Sequence, residues 1–247
     1  MDRTLCGRRK GAILPLTLVR TPVRTLVRAL IMTGVMILVS SVIIAWSMAA
    51  GAEPKPELII LPFFVQKGEE PTRGEICPLC KGLHQSGSIL PGSQNTMTRL
   101  LYEKMEALGT FTIFPLERVE GVLSRSDPKQ FFEKPGSAAV LLGRELDADF
   151  VLVGYLFRFE QRVGSSVGVD RPASVGFDLH LVRVRDGKIA WTGKFDETQR
   201  PLSDNLLKIG TFFRRGAKWL TAEELASAGM GETLTALPGA KDLEETR

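Results

Sequence analysis

Cys77-Pro78-Leu79-Cys80 is the motif of this 247-residue chain whose residue types and spacing could carry chemistry. Haem attachment requires a histidine directly after the second cysteine, and Lys81 stands there. A thioredoxin-type thiol requires Cys77 at a helix N-terminus, where the helix dipole lowers its pKa. The following Lys81-Gly82-Leu83-His84-Gln85-Ser86-Gly87 is a poor helix former. CPLCKG resembles one zinc-ribbon knuckle, and His84 could add a third ligand. A structural zinc site takes four ligands. The one other histidine, His180, lies in a hydrophobic strand, so a metal needs a distant ligand or a second subunit. The expected state is therefore a local Cys77–Cys80 disulfide, with no cofactor. Zinc at Cys77, Cys80 and His84 is the alternative, and thiol redox chemistry is a further one.

The remaining candidates read as structural. His180 shares its strand parity with Val182 and Val184 and is expected to be a hydrogen-bonded core histidine. Asp147 and Asp149 fall at a helix-to-strand turn as solvated carboxylates. Gly143 and Gly154 lie in no phosphate-binding loop. No nucleophile–base pair is recognisable, so no catalytic residue is assigned.

These residues must be positioned by a succession of short apolar elements. Leu58–Val65 is a continuous apolar run suited to a strand buried on both faces. Residues 66–92 are rich in Gly, Pro and Ser and form an insertion that carries both exported cysteines. Ser93 is placed as the N-cap of a helix whose apolar face holds Met97, Leu100, Leu101, Met105 and Leu108, with Gly109 as its stop. A short strand over 110–114, a helix from Pro115, a loop over 124–136 and a helix over 137–146 follow. Phe150–Val163 is the strongest strand signal. Asp186-Gly187 predicts a two-residue hairpin, pairing Val184 with Ile189 and Val182 with Trp191, with either two buried faces or a bulge near Leu181-Val182. Ser203 starts a helix reaching Leu220, and Thr221-Ala-Glu-Glu224 is a capping box for a last helix.

The first 52 residues hold seven basic side chains and one acid, Asp2, and end in a 24-residue uncharged run, Ala29–Ala52. A positive flank before an apolar run is the code for export, with the basic end left in the cytoplasm. The run satisfies the small-x-small cleavage rule at Ala52–Glu53 and is also long enough to span a bilayer. The exported part is expected in the periplasm, either free after cleavage or tethered to the inner membrane through residues 29–52. Of the chain's 32 Lys+Arg and 28 Asp+Glu, residues 53–247 keep 25 and 27. The high pI is thus a topology signal, and nucleic acid is excluded as a partner. The expected organisation is a basic leader (1–28), a signal or membrane segment (29–52), a linker (53–57), an α/β domain (58–237) and a tail (238–247).

The strand LIILPF, the segment ALGTFTIFPLERV and the run LGRELDADFVLVGYL followed by LHLVRVRDGKIAWTGKF resemble a group of bacterial envelope proteins. They are similar to the TolB amino-terminal domain and to the curli-export lipoprotein. The resemblance covers residues 58–220 without the cysteine insertion. It implies an α/β fold with a mixed five-stranded sheet, in which the first three strands are parallel and the last three form an antiparallel meander. It further implies a non-enzymatic docking or assembly module whose partners are other envelope proteins, with a second copy of the chain as another candidate. No functional residue carries over. Cys6 precedes the apolar run, so the lipid attachment of the lipoprotein members is not expected.

Overall fold

The structure is a computed structural model that describes residues 27–28, 30–36, 54–66, 74–199, 218–239 and 242–243. The chain divides into two units, Met1–Glu53 and Pro54–Arg247. In the first, residues 30–36 are helical with exposed side chains. Among the described residues no helix is long and apolar enough to cross a membrane. Most of the apolar run, the bond Ala52–Glu53 and the helix expected from Ser203 lie outside the described residues.

In the second unit the first apolar run is split. It forms β1 (Glu57–Ile60) and β2 (Phe64–Val65), because Pro62 between them has no N–H to give a ladder. The Phe63 N–H donates instead to Thr98 Oγ1 at 2.9 Å. The insertion contributes a small hairpin, β3 (Glu75–Ile76) and β4 (Leu83–His84). Helix α1 (Ser93–Leu108) follows. Its N-cap is Gly92 rather than Ser93, whose hydroxyl donates back to Leu90 O at 2.6 Å. Gly109 ends it at φ 62°, a left-handed conformation that favours glycine. Next come β5 (Thr112–Ile113), α2 (Leu116–Leu123), α3 (Gln130–Glu133) and α4 (Pro135–Glu145). Helix α3 lies in the stretch expected to be a loop, and it exists to bury Phe131.

Strands β6 (Phe150–Glu160), β7 (Val163–Gly164), β8 (Val169–Arg171), β9 (Ser174–Arg183) and β10 (Ile189–Thr198) precede the last long helix, α5 (Ala222–Leu234). The α5 capping box is formed as expected: Thr221 Oγ1 accepts from the Glu224 N–H, and Glu224 accepts from the Thr221 N–H. The main sheet runs β10-β9-β6-β1-β5, with β2 also on β6. β1 is parallel to both β5 and β6, whereas β6, β9 and β10 are antiparallel. This is the expected mixed α/β sheet.

The hairpin is wider than expected. Ile189 pairs with Val182 and Trp191 with Leu181, with a register shift between Ile189 and Trp191. The Val184 N–H donates to Asp149 O at 2.9 Å, which pulls Val184 off the ladder. Arg183 grips Asp186 through two hydrogen bonds, 3.1 and 2.8 Å, and closes the longer loop.

Every residue of β9 is buried, so each parity feeds a different core. Val175, Phe177, Leu179 and Leu181 pack with Met97, Leu101 and Met105 of α1 and Leu225 and Met230 of α5. On the other face Val151, Val153, Tyr155, Phe157 and Val182 meet Val119, Phe131, Ala139 and Leu142 of α2, α3 and α4. Cys77 belongs to this second core, with Leu79 and Cys80 packed against it. The cysteine hairpin therefore packs on the same face of the sheet as α2, α3 and α4.

Candidate functional site

The tight turn after β3 is held by the Cys77 N–H donating to Gly82 O at 2.8 Å and the Lys81 N–H donating to Cys77 O at 3.0 Å. Lys81 takes a left-handed conformation, φ 62°, which is uncommon outside glycine. Its ammonium caps Pro78 O at 2.8 Å. Both sulfurs then face the sheet, each beside backbone N–H groups. Those of Cys80 and Leu79 approach Cys77, and the Gly82 N–H lies 3.3 Å from Cys80 Sγ.

Beneath them β9 presents Asp178 and His180, two residues apart and so on one face. Cys77 Sγ lies 3.1 Å from His180 Nε2 and Cys80 Sγ lies 3.5 Å from Asp178 Oδ2. Asp178 Oδ2 is 2.6 Å from His84 Nε2 and 3.7 Å from His180 Nε2. One ligating atom from each of Cys77, Cys80, Asp178 and His180 lies within 4.8 Å of the other three. His84 stacks on Phe157, with ring centroids 3.9 Å apart and planes 3° from parallel. His180 Nδ1 is 3.3 Å from Thr192 Oγ1. Two atoms of this buried group, His84 Nδ1 and Asp178 Oδ1, have no hydrogen-bond partner.

Cys77 and Cys80 are free thiols, so the expected disulfide is not formed. Each sulfur is engaged by a β9 side chain rather than by the other. His84 and His180 both lie at the cysteines, whereas only His84 was expected there. Sequence reasoning missed Asp178 and read His180 as a core histidine. The available signal was a pair of polar residues two apart in an otherwise apolar strand.

Burial decides what the cluster can do as it stands. Cys77 and His180 are 0% exposed and Asp178 is 1% exposed. Burial pushes the Cys77 thiol up to about 12, against the backbone N–H groups of Cys80 and Leu79. Burial likewise lowers His180 to about 4, with Asp178 opposing and His84 adding to the shift. The pair is a neutral thiol beside a neutral imidazole. A nucleophilic cysteine needs the reverse: a thiolate, partly exposed and stabilised by positive charge.

A second set of contacts holds Leu83, Gln85 and Ser88 of the insertion. Arg158 donates to Ser174 Oγ at 2.6 Å, Gln85 O at 2.8 Å and Asp196 Oδ1 at 2.6 Å. The Gln85 N–H donates to Asp196 Oδ2 at 3.3 Å, and Lys194 Nζ donates to Leu83 O at 2.7 Å. Ser88 is held by Glu160 Oε1 through its N–H and hydroxyl, 2.9 and 3.1 Å. The outer side of the hairpin is apolar. Ile76 and Leu83 pair across its strands and are 57% and 65% exposed.

No protein-family model and no curated protein matches this sequence. Solved structures do. The PelC dodecamer from Paraburkholderia phytofirmans matches at 13% identity, covering 77% of this chain and 91% of that one, with a TM-score of 0.40. The LpoB C-terminal domain from Salmonella enterica matches at 18%, covering 61% and 87%, TM-score 0.36. Lipoprotein GNA1162 from Neisseria meningitidis matches at 14%, covering 64% and 91%, TM-score 0.38. The likeness concerns fold alone.

Proposed function

We propose that this chain is an exported, non-enzymatic module of the bacterial envelope that binds other envelope proteins, with residues 74–92 as part of the contact surface. The observation that carries the reading is where the reactive residue types lie. Cys77, Asp178 and His180 are sealed between the hairpin and the sheet. A sealed group fastens its surroundings and meets no substrate. What it fastens is an insertion whose outward pair, Ile76 and Leu83, is apolar and exposed. Exposed large apolar side chains held rigidly at a tip suit protein contact, because little entropy is lost when they dock. The basic flank and apolar run before residue 53 support the address, with the module either free in the periplasm or tethered by residues 29–52.

The test is a photo-crosslinking amino acid placed at Leu83 in living cells. An envelope protein captured from position 83, and lost when Ile76 is changed to Asp, supports the reading. Crosslinks absent at both 76 and 83 in an expressed, folded chain contradict it.

A further inference from the structure

We propose that Cys77, Cys80, Asp178 and His180 form a closed, four-coordinate zinc site, with His84 holding Asp178 from outside. This goes beyond envelope binding and stands without it.

The geometry is the first ground. Tetrahedral zinc with bonds of about 2.3 Å to sulfur and about 2.0 to 2.1 Å to nitrogen or oxygen places its donors about 3.3 to 3.8 Å apart. The Cys77–His180, Cys80–Asp178 and Asp178–His180 separations are 3.1, 3.5 and 3.7 Å. Three of the six donor separations are thus near those of a zinc tetrahedron, and the other three lie within 4.8 Å. Their type is the second ground. Two sulfurs and an imidazole select zinc over magnesium or calcium, which take oxygen. Four protein ligands, three of them buried and Cys80 half-buried, fill the tetrahedron and leave no position for substrate, so the site is structural.

The third ground is the preparation of the sulfurs. Backbone N–H groups lie beside both Cys77 and Cys80 and can donate to sulfur, and a bound cation would deprotonate the buried Cys77 thiol outright. Zinc binding would release the two thiol protons to solvent. Two thiolates and one carboxylate then face a charge of +2. The fourth ground is the buried Asp178 carboxylate: its Oδ2 faces Cys80 and His180, and its Oδ1 has no hydrogen-bond partner, so its charge costs free energy unless a cation lies near. His84 Nε2, 2.6 Å from Asp178 Oδ2, is the outer partner that orients this ligand.

Such a site ties the hairpin to β9 and occupies both thiols. It explains how a C-x-x-C pair stays reduced in an oxidising compartment, where a disulfide is otherwise expected.

The experiment uses the full chain, purified without added metal and then titrated with zinc or cobalt(II). One zinc per chain is expected, and cobalt should give thiolate charge-transfer absorption. Cys80→Ser and Asp178→Asn should each change the cobalt spectrum, and His180→Ala should abolish stoichiometric binding. Because His180 is in the core, circular dichroism must show that variant folded; otherwise Cys80→Ser decides. His84→Ala should weaken zinc about 10- to 100-fold with an unchanged cobalt spectrum, as for an outer partner. A folded wild-type chain that binds no zinc at saturating metal overturns the proposal. So does a cobalt spectrum identical in wild type and Cys80→Ser. A loss in His84→Ala as complete as in His180→Ala overturns the ligand set.

Discussion

Cys77 Sγ stands 3.1 Å from His180 Nε2, across 103 residues of chain. The contact joins a Gly-, Pro- and Ser-rich insertion to the middle of a strand buried on both faces. Two described parts of the insertion are fixed by different chemistry. The cysteine hairpin is held by the sulfur–histidine–carboxylate group, and residues 85–88 by Arg158, Asp196 and Glu160.

Arg158 and Asp196 form a largely buried ion pair. The Arg158 side chain is 4% exposed and that of Asp196 is 20% exposed. Removing one partner of a buried ion pair leaves the other charge uncompensated. Arg158→Ala should cost about 3 kcal/mol, the low end for such pairs because Asp196 retains some solvent. Adding Asp196→Ala should recover part of that loss. Urea unfolding of the single and double variants measures both, and hydrogen exchange at the Gln85 amide should rise in either.

Helix α5 lies on the sheet through a glycine. A Cβ on Gly229 would fall 2.5 Å from the Phe195 ring, which is itself stacked on Phe177 at 5.5 Å. The backbone or the ring must move to admit it. Gly229→Ala should therefore destabilise the domain by about 1 to 3 kcal/mol despite the gain in helix propensity. Thermal unfolding should show a lower midpoint.

The hairpin loop predicts an acid dependence. The side-chain hydrogen bonds from Arg183, and then that from the Lys188 N–H, hold Asp186 down at about 2, below its ordinary 3.8. A depressed carboxylate pKa contributes stability that is present above pH 3.8 and lost as pH falls through 2. The gap in melting temperature between wild type and Asp186→Asn should be flat near neutrality and close as pH drops from 3.8 to 2. A gap that persists below pH 2 contradicts this.

The sheet was legible because periodicity and burial speak locally. Phe150–Glu160 is largely apolar at both parities and Ser174–Arg183 largely at one, and both strands are covered on both faces. The capping box at Thr221 and the stop at Gly109 were legible for the same reason: each is settled within four residues. The hairpin register was not. It turns on the Val184 N–H choosing Asp149 O, a partner outside the hairpin. Helix α3 was missed because Phe131 pins four residues that have no periodicity of their own. Half of the site was readable, since Cys77, Cys80 and His84 are neighbours in sequence. Asp178 and His180 were hidden because a histidine in an apolar strand usually serves the core. Only the sheet brings them under the hairpin.

Native mass spectrometry of the full chain separates three states of Cys77 and Cys80 in one spectrum. A mass greater than that of the bare chain by one zinc ion, less the two thiol protons it displaces, is the predicted result. A bare chain lighter by two hydrogen atoms, with no metal taken up on titration, means an oxidised Cys77–Cys80 disulfide and contradicts the account.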